Sequence, residues 1–273
     1  MDIICASICF RNYAEDEVEA TLRLAPGFGY RLMEIHGPAV WNVEAVHSFD
    51  VLKIQRDLKA FGMQCAGIYS PGWGGRNAQE VQEHASAIAT CVRFAETLGA
   101  RHVTSTGASP RSEPGALDRL IECVRRVLED IQQENPAASR ARKTDVKLTL
   151  EPHLGNVLQN SDDFERVLEA CDDPRVGVCL DTGHLHAAGV DIPVFVRRFR
   201  ARLYAVHLKD HVGAESVGIG RGEIDLPAVI AALKEVSYRG GLTVELEVND
   251  PENLPRYSHE AYVYLNGLLG QKL

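Results

Sequence analysis

Short apolar runs alternate with longer amphipathic segments along the chain. Runs rich in apolar and β-branched residues at 3–8, 31–35, 63–68, 101–104, 147–151, 176–180, 203–207 and 242–246 read as eight strands. Helical periodicity falls between and after them, at 14–25, 49–60, 77–98, 115–133, 161–170, 190–199, 225–236 and 257–268. In 77–98 the residues Val81, Ala85, Ile88, Val92, Ala95 and Leu98 recur at spacings of three and four, which marks one buried helix face. Ser161-Asp162-Asp163 ahead of Phe164, and Asp225 ahead of Leu226-Pro227, are helix starts. Gly62, Gly99 and Gly240-Gly241 stand where a left-handed residue ends a helix before the next strand.

Eight βα units in this order suit a closed barrel or a doubly wound sheet. The doubly wound alternative with a bound dinucleotide needs a glycine-rich turn after the first strand. That turn here is Cys9-Phe10-Arg11-Asn12-Tyr13, without a glycine. The expectation is therefore an α/β chain forming a single (β/α)8 TIM barrel over residues 1–273. The polar stretch 134–146 is expected as a loop on the N-terminal face or outer rim.

Composition narrows the partners. The 273 residues match the ~250 of a typical α/β barrel. A net charge of −9, from 29 basic and 38 acidic residues without a basic block, argues against affinity built on phosphate neutralisation, so no nucleic-acid partner is expected. The seven cysteines form no CxxC pair, and Cys5, Cys9, Cys91, Cys123 and Cys179 sit among apolar neighbours, as reduced core thiols do. No basic segment precedes an apolar stretch and no run reaches membrane-span length, so a cytoplasmic chain with no membrane partner is expected. A homo-oligomer is compatible with all of this.

Catalytic groups of such barrels project from the C-terminal strand ends. Each of the last four strands carries one ligand-type residue there: Glu151, Asp181, His207 and Glu245. A single carboxylate at a strand end is ordinarily a helix cap or loop charge. Glu245 within Leu242-Thr243-Val244-Glu245-Leu246 and Glu151 after Leu148-Thr149-Leu150 are less easily dismissed, because burying an unpaired carboxylate costs several kcal/mol. A shared cation explains all four. Three carboxylates and an imidazole suit one divalent ion, Mn2+ first, with Mg2+, Co2+ or Zn2+ compatible. A closed structural zinc site would bring thiolates, which this set lacks.

Those residues stand in phrases that resemble the xylose-isomerase-like TIM barrel superfamily. They are Leu148-Thr149-Leu150-Glu151-Pro152-His153, Leu180-Asp181-Thr182-Gly183-His184, Val206-His207-Leu208-Lys209-Asp210, Gly218-Ile219-Gly220-Arg221-Gly222-Glu223-Ile224-Asp225 and Leu242-Thr243-Val244-Glu245. Within the superfamily they look like the sugar isomerase/epimerase family, which includes ketose 3-epimerases and inosose dehydratases. The resemblance implies that Glu151, Asp181, His207 and Glu245 ligate the metal, that Glu151 and Glu245 exchange protons with substrate carbon, and that His184 contacts a substrate oxygen. It departs from the ketohexose epimerases after strand seven, where Lys209-Asp210-His211-Val212-Gly213 lacks their arginine.

Residues and resemblance agree on a chemistry. A metal-chelated carbonyl acidifies the neighbouring carbon, and two carboxylates on opposite sides can remove and return its proton. Ketose epimerisation, aldose–ketose isomerisation and elimination of water from a keto-polyol all fit, with a small carbohydrate as substrate. Further substrate contacts are expected from His153, Lys209, Arg221, His36 and Trp73, the last as an aromatic wall. His186 and His211 read as ordinary loop residues. The main rival is a lyase of the same family, an inosose-type dehydratase or a 3-keto-glycoside-cleaving enzyme. The retained Glu151 favours the isomerase or epimerase. A DNA-repair endonuclease of the superfamily would carry further histidine ligands. Here strand three ends in Tyr69-Ser70 and strand four in Thr104-Ser105. A non-catalytic binding barrel would have no use for all four ligands.

Overall fold

A computed structural model describes residues 1–133 and 144–271. The chain runs β1 (Ile3–Ala6), α1 (Glu17–Phe28), β2 (Leu32–Ile35), α2 (Pro38–Trp41), α3 (Val51–Phe61), β3 (Gln64–Tyr69), α4 (Ala78–Leu98), β4 (His102–Ser105) and α5 (Ala116–Gln133). It continues with β5 (Lys147–Leu150), α6 (Ser161–Cys171), β6 (Val176–Asp181), α7 (Thr182–Ala187), α8 (Ile192–Phe199), β7 (Leu203–Leu208), β8 (Asp210–Val212), β9 (Glu215–Val217), α9 (Leu226–Glu235), β10 (Leu242–Val244) and α10 (Leu254–Leu269). Eight strands close in the order β1-β10-β7-β6-β5-β4-β3-β2, every neighbouring pair parallel. The TIM barrel is as expected. The polar loop expected at 134–146 lies largely outside the described residues.

Strands buried on both faces hold the barrel to its helices. Val176, Val178 and Leu180 of β6 are fully buried, as are Ile88 and Cys91 of α4. Between α6 and α8, Phe164 meets Phe195 edge-on at 5.6 Å, and Phe195 meets Phe199 at 4.6 Å. Each such buried side chain contributes about 1.5–3 kcal/mol. Side-chain caps start the helices where the chain leaves the strands: Asp16 accepts from Glu19 N, Asn77 from Glu80 N, and Asn160 forms a reciprocal box with Asp163.

Several boundaries differ from expectation: β1 stops at Ala6, and α9 ends at Glu235, so Gly240 and Gly241 do not cap it. The first helix starts at Glu17, behind its Asp16 cap, and runs through Pro26 to Phe28, where Gly29 at φ 110° ends it. The last begins at Leu254, with Pro255 in its first turn, where the missing N–H costs nothing. The hairpin β8–β9 and the short α2 were not anticipated. Both sit in connections leaving the C-terminal ends of strands, and α2 brings Trp41 to the mouth. Register shifts occur at Met33/Glu34 in β2 and Val178/Cys179 in β6, next to residues of the site.

Candidate active site

The four expected ligands meet at the C-terminal mouth. Asp181 closes β6, His207 is the penultimate residue of β7, and Glu151 and Glu245 follow directly on β5 and β10. Asp181 and His207 are register partners, and the Glu151 and Glu245 amides still bond to the neighbouring strands, at Ser105 O and Leu208 O. One donor atom from each of the four lies within 4.8 Å of the other three, and all four residues are buried. His207 Nδ1 is hydrogen-bonded to Glu151 Oε1 and lies 2.9 Å from Glu245 Oε2. That ring nitrogen carries at most one proton, so the second contact is a charge pair rather than a hydrogen bond, and Glu245 Oε2 has no hydrogen-bond partner. Asp181 divides its roles. Oδ1 caps α7 by accepting from His184 N at 2.8 Å, while Oδ2 is buried without a hydrogen-bond partner, 3.4 Å from Lys209 Nζ.

Two orphaned carboxylate oxygens converging on an imidazole nitrogen are what a bound dication would satisfy. The donor set, oxygen-rich with one nitrogen, fits a hard or borderline divalent ion. Without one, the electrostatics are unbalanced. Burial pushes the Glu151 carboxyl up against the pull of His207, with Glu245 and Asp181 adding to the rise. Burial also opposes the charge on Glu245, but Lys209 and His207 hold its carboxyl well below the usual range. The His207 imidazole would be disfavoured as a cation by burial, yet the surrounding Cys179, Glu34, Glu151 and Glu245 side chains drive its affinity for a proton well up. A proton there occupies the place of a cation.

Residues from the first half of the barrel complete the site, and sequence reasoning passed over most of them. Tyr69, ending β3, donates its phenol to Glu151 Oε2 at 2.5 Å. Burial and the nearby Glu151 and Glu245 keep that phenol protonated. Glu34 on β2 is fully buried beneath the ligands, 3.1 Å from His207 Nε2 and 2.9 Å from Thr243 Oγ1. Burial acts to raise its carboxyl, but the His207 and His102 imidazoles hold it well below the usual range. His102 reaches Glu34 at 3.4 Å because residue 67 is glycine: a Cβ there would stand 2.1 Å from His102 Nε2. The signal used for Glu245, a carboxylate inside an apolar strand, was also present in Arg31-Leu32-Met33-Glu34-Ile35.

Above the four candidate ligands opens a cavity of about 310 Å³, lined among others by His36, Trp41, Tyr69, Glu151, His153, His184, Lys209 and Glu245. Lys209 is nearly fully buried, with Nζ 2.6 Å from Glu247, 3.3 Å from Glu245 and 3.3 Å from His184 Nε2. Burial works against its charge, but Asp181, Glu245 and Glu247 more than compensate, so it stays an ammonium. His184, its ring tilted against that of His153 at 4.0 Å, is lowered to about 4, chiefly by burial and partly by Lys209 and His153, so its imidazole is neutral.

Two expected contacts fall elsewhere. Trp73 is wholly buried, its Nε1 donating to Thr149 O at 3.3 Å, and presents no face to the cavity. The aromatic wall is Trp41, which meets Tyr69 edge-on at 6.4 Å and carries Arg11 over its ring at 4.9 Å. Trp41 sits on a strand-to-helix connection just as Trp73 does, so position along the chain did not separate them. Arg221 faces solvent, paired with Glu260 at 2.6 Å and lying over Tyr257, outside the cavity. His186 is on α7 and His211 on β8, and neither lines the cavity. All seven cysteines are free thiols, and burial pushes that of Cys179, beside His207, well up. Among the described residues no helix is long and apolar enough to cross a membrane.

Comparison with known proteins adds relatives to this geometry. The family model described as "Xylose isomerase-like TIM barrel" matches residues 22–264. The rhizopine catabolism protein MocC of Rhizobium meliloti is 27% identical over 222 residues, 72% of this chain and 67% of that protein. An inosose dehydratase of Mesomycoplasma hyopneumoniae (strain 7448) is 25% identical over 250 residues, 81% of each chain. In fold, the chain is similar to the IolI protein solved with a binding zinc atom, at a TM-score of 0.78 and 16% identity, covering 99% of this chain and 98% of that one. A D-allulose 3-epimerase from Methylomonas sp. gives a TM-score of 0.77 at 15% identity, with 98% of each chain covered.

Proposed function

The chain belongs to the xylose isomerase-like TIM barrel family, and from that premise we propose a divalent-metal-dependent sugar isomerase or epimerase that moves a proton on the carbon beside the carbonyl of a ketose or keto-polyol. Glu151, Asp181, His207 and Glu245 would hold the ion, with Mn2+ the first choice. The observation that carries this reading is the convergence of the four donor atoms within 4.8 Å, two of the carboxylate oxygens being buried without hydrogen-bond partners. When bound, the ion supplies Lewis-acid polarisation of a substrate carbonyl.

The chain's own residues divide the proton work unequally. Glu245 lies against the Lys209 ammonium, which favours its carboxylate and suits it to take up a proton. Burial and the like charges of Glu245 and Asp181 push the Glu151 carboxyl up, which suits it to hold a proton and return it, while the Tyr69 phenol bonded to one oxygen orients it. His184 as a neutral imidazole, His153 and Lys209 offer hydrogen bonds to substrate hydroxyls, and Trp41 offers an apolar face to a sugar. With a dication held there, the charges of Glu151, Asp181, Glu245, Glu247, Lys209 and Arg11 nearly cancel, so the site does not demand an anionic substrate.

A second reading, elimination of water from an inosose-like keto-polyol, is favoured by the Lys209 ammonium, which can protonate a departing hydroxyl, and by the inosose dehydratases among the relatives. One experiment separates the two. The Mn2+-loaded protein is incubated in D2O with a panel of ketoses, inososes and 3-keto-glycosides. Deuterium beside the carbonyl of an epimer or isomer supports the first reading, and a dehydrated product the second. A loaded protein that neither exchanges nor transforms any of them counts against both.

A further inference from the structure

Beneath the four ligands lies a carboxylate that the proposed chemistry does not use. Glu34 is completely buried, and the polar side chains recorded against it among the described residues, His207, Thr243, His102 and His36, can all donate hydrogen bonds. His207 Nε2 stands 3.1 and 3.2 Å from its two oxygens, and Thr243 donates Oγ1 at 2.9 Å. His102 Nε2 lies at 3.4 Å and His36 Nε2 at 3.6 Å. A neutral imidazole has one N–H and one lone pair on opposite ring nitrogens. Both ring nitrogens of His207 face carboxylates, Nε2 toward Glu34 and Nδ1 toward Glu151 and Glu245; an ion held by Glu151, Asp181 and Glu245 takes the Nδ1 lone pair, and the hydrogen then stays on Nε2, where Glu34 accepts it.

We propose that Glu34 is the positioning residue of the metal site: it locks His207 in the Nε2–H tautomer, aims Nδ1 at the ion, and backs the imidazole with negative charge. This rests on the metal reading above. A carboxylate behind a ligating histidine fixes ring orientation and raises ligand basicity, and its loss typically weakens metal affinity by about 10–100-fold. Glu34, His36 and His207 also bring donor atoms within 4.8 Å of one another, so a second ion is the competing use of the cluster. The positioning role is favoured because the Glu34 oxygens already accept from Thr243 and His207, and an ion there would compete for the nitrogen that supports the first site.

The test is calorimetric titration of chelator-stripped wild type and Glu34→Gln with MnCl2, together with melting of both metal-free proteins. The expected result is one ion per wild-type chain and affinity about 10–100-fold weaker in the variant. A purely structural role would lower the metal-free melting temperature and leave the affinity of the folded fraction alone. A folded Glu34→Gln with wild-type affinity, or two ions per wild-type chain with only one lost in the variant, overturns the proposal. If Glu34→Gln does not fold, the tautomer is read directly in wild type loaded with diamagnetic Mg2+, by nitrogen NMR of 15N-labelled histidine. Nε2 protonated at His207 is expected, and Nδ1 protonated overturns it. Wild type that binds none of Mn2+, Mg2+ or Zn2+ would defeat the metal reading itself. Normal wild-type binding with an indifferent variant defeats only the role of Glu34.

Discussion

The two halves of the barrel contribute in different ways. The second half, β5, β6, β7 and β10, delivers the four ligand-type residues at successive strand ends. The first half, β1 to β4 with their connections, delivers the supports and the wall: Glu34, Tyr69, His102, Trp41 and Arg11. The difference is one of chemistry. Ligands must be charged or basic groups held where water is scarce, a rare combination that is conspicuous in sequence. Walls such as Trp41 need only shape and a contact, which many residue types supply, while the buried support Glu34 is as unusual as a ligand but gains its partners only when the barrel closes.

The largest effects should come from the second half. Replacing Glu151 or Glu245 by Gln leaves an amide oxygen that can still ligate but cannot take the proton, so turnover should fall by roughly 10²–10⁴ for each while Mn2+ binding persists. In D2O, one variant should keep hydrogen exchange on a given substrate without completing the reaction, and the other should lose exchange. The two should swap when the product is used as substrate. Equal loss of exchange in both variants and both directions would move elimination ahead of epimerisation.

Next comes metal removal. The carboxylates of Glu151, Asp181 and Glu245 repel one another once the ion is gone, so chelator-stripped protein should melt lower. At free Mn2+ 100 times Kd the linkage is about 2.7 kcal/mol, several degrees for a domain of this size. Unchanged melting, with binding confirmed calorimetrically, would break the shared-cation argument.

The smallest effects should come from the two tryptophans, and they should differ in kind. Trp41→Ala should raise KM by roughly five- to tenfold, from loss of about 1 kcal/mol of ring contact, with Mn2+ affinity unchanged. Trp73→Phe should leave KM and metal binding alone and cost roughly 2 kcal/mol of stability, because the bond from Nε1 to Thr149 O is lost and the smaller ring leaves a cavity. Steady-state kinetics beside thermal melts would show whether the assignments should be reversed.

The legibility of the sequence follows the same division. The barrel could be read because eight short apolar and β-branched runs alternate with 3.6-period segments, a pattern spread over the whole chain. Glu151, Asp181, His207 and Glu245 could be read because each ends an apolar strand. Glu34 was equally anomalous in its strand, but its partners His102, His207 and Thr243 come from three other strands and become neighbours only on closure. Trp73, expected at the mouth as an aromatic wall, is flanked by Gly72, Gly74 and Gly75. Those glycines instead let the backbone pass close to Leu120, Glu80 and Val81, and the indole turns inward. Short pieces such as α2 and the β8–β9 hairpin carry too few residues for any periodicity.

The central claim is that Glu151, Asp181, His207 and Glu245 share one divalent ion. Anomalous diffraction from crystals grown with MnCl2, with data collected on both sides of the manganese absorption edge, tests it most directly. The account predicts a single strong peak per chain within ligating distance of all four side chains, absent from crystals of His207→Ala. A peak lying elsewhere, or none at Mn2+ concentrations that saturate binding in solution, would contradict it.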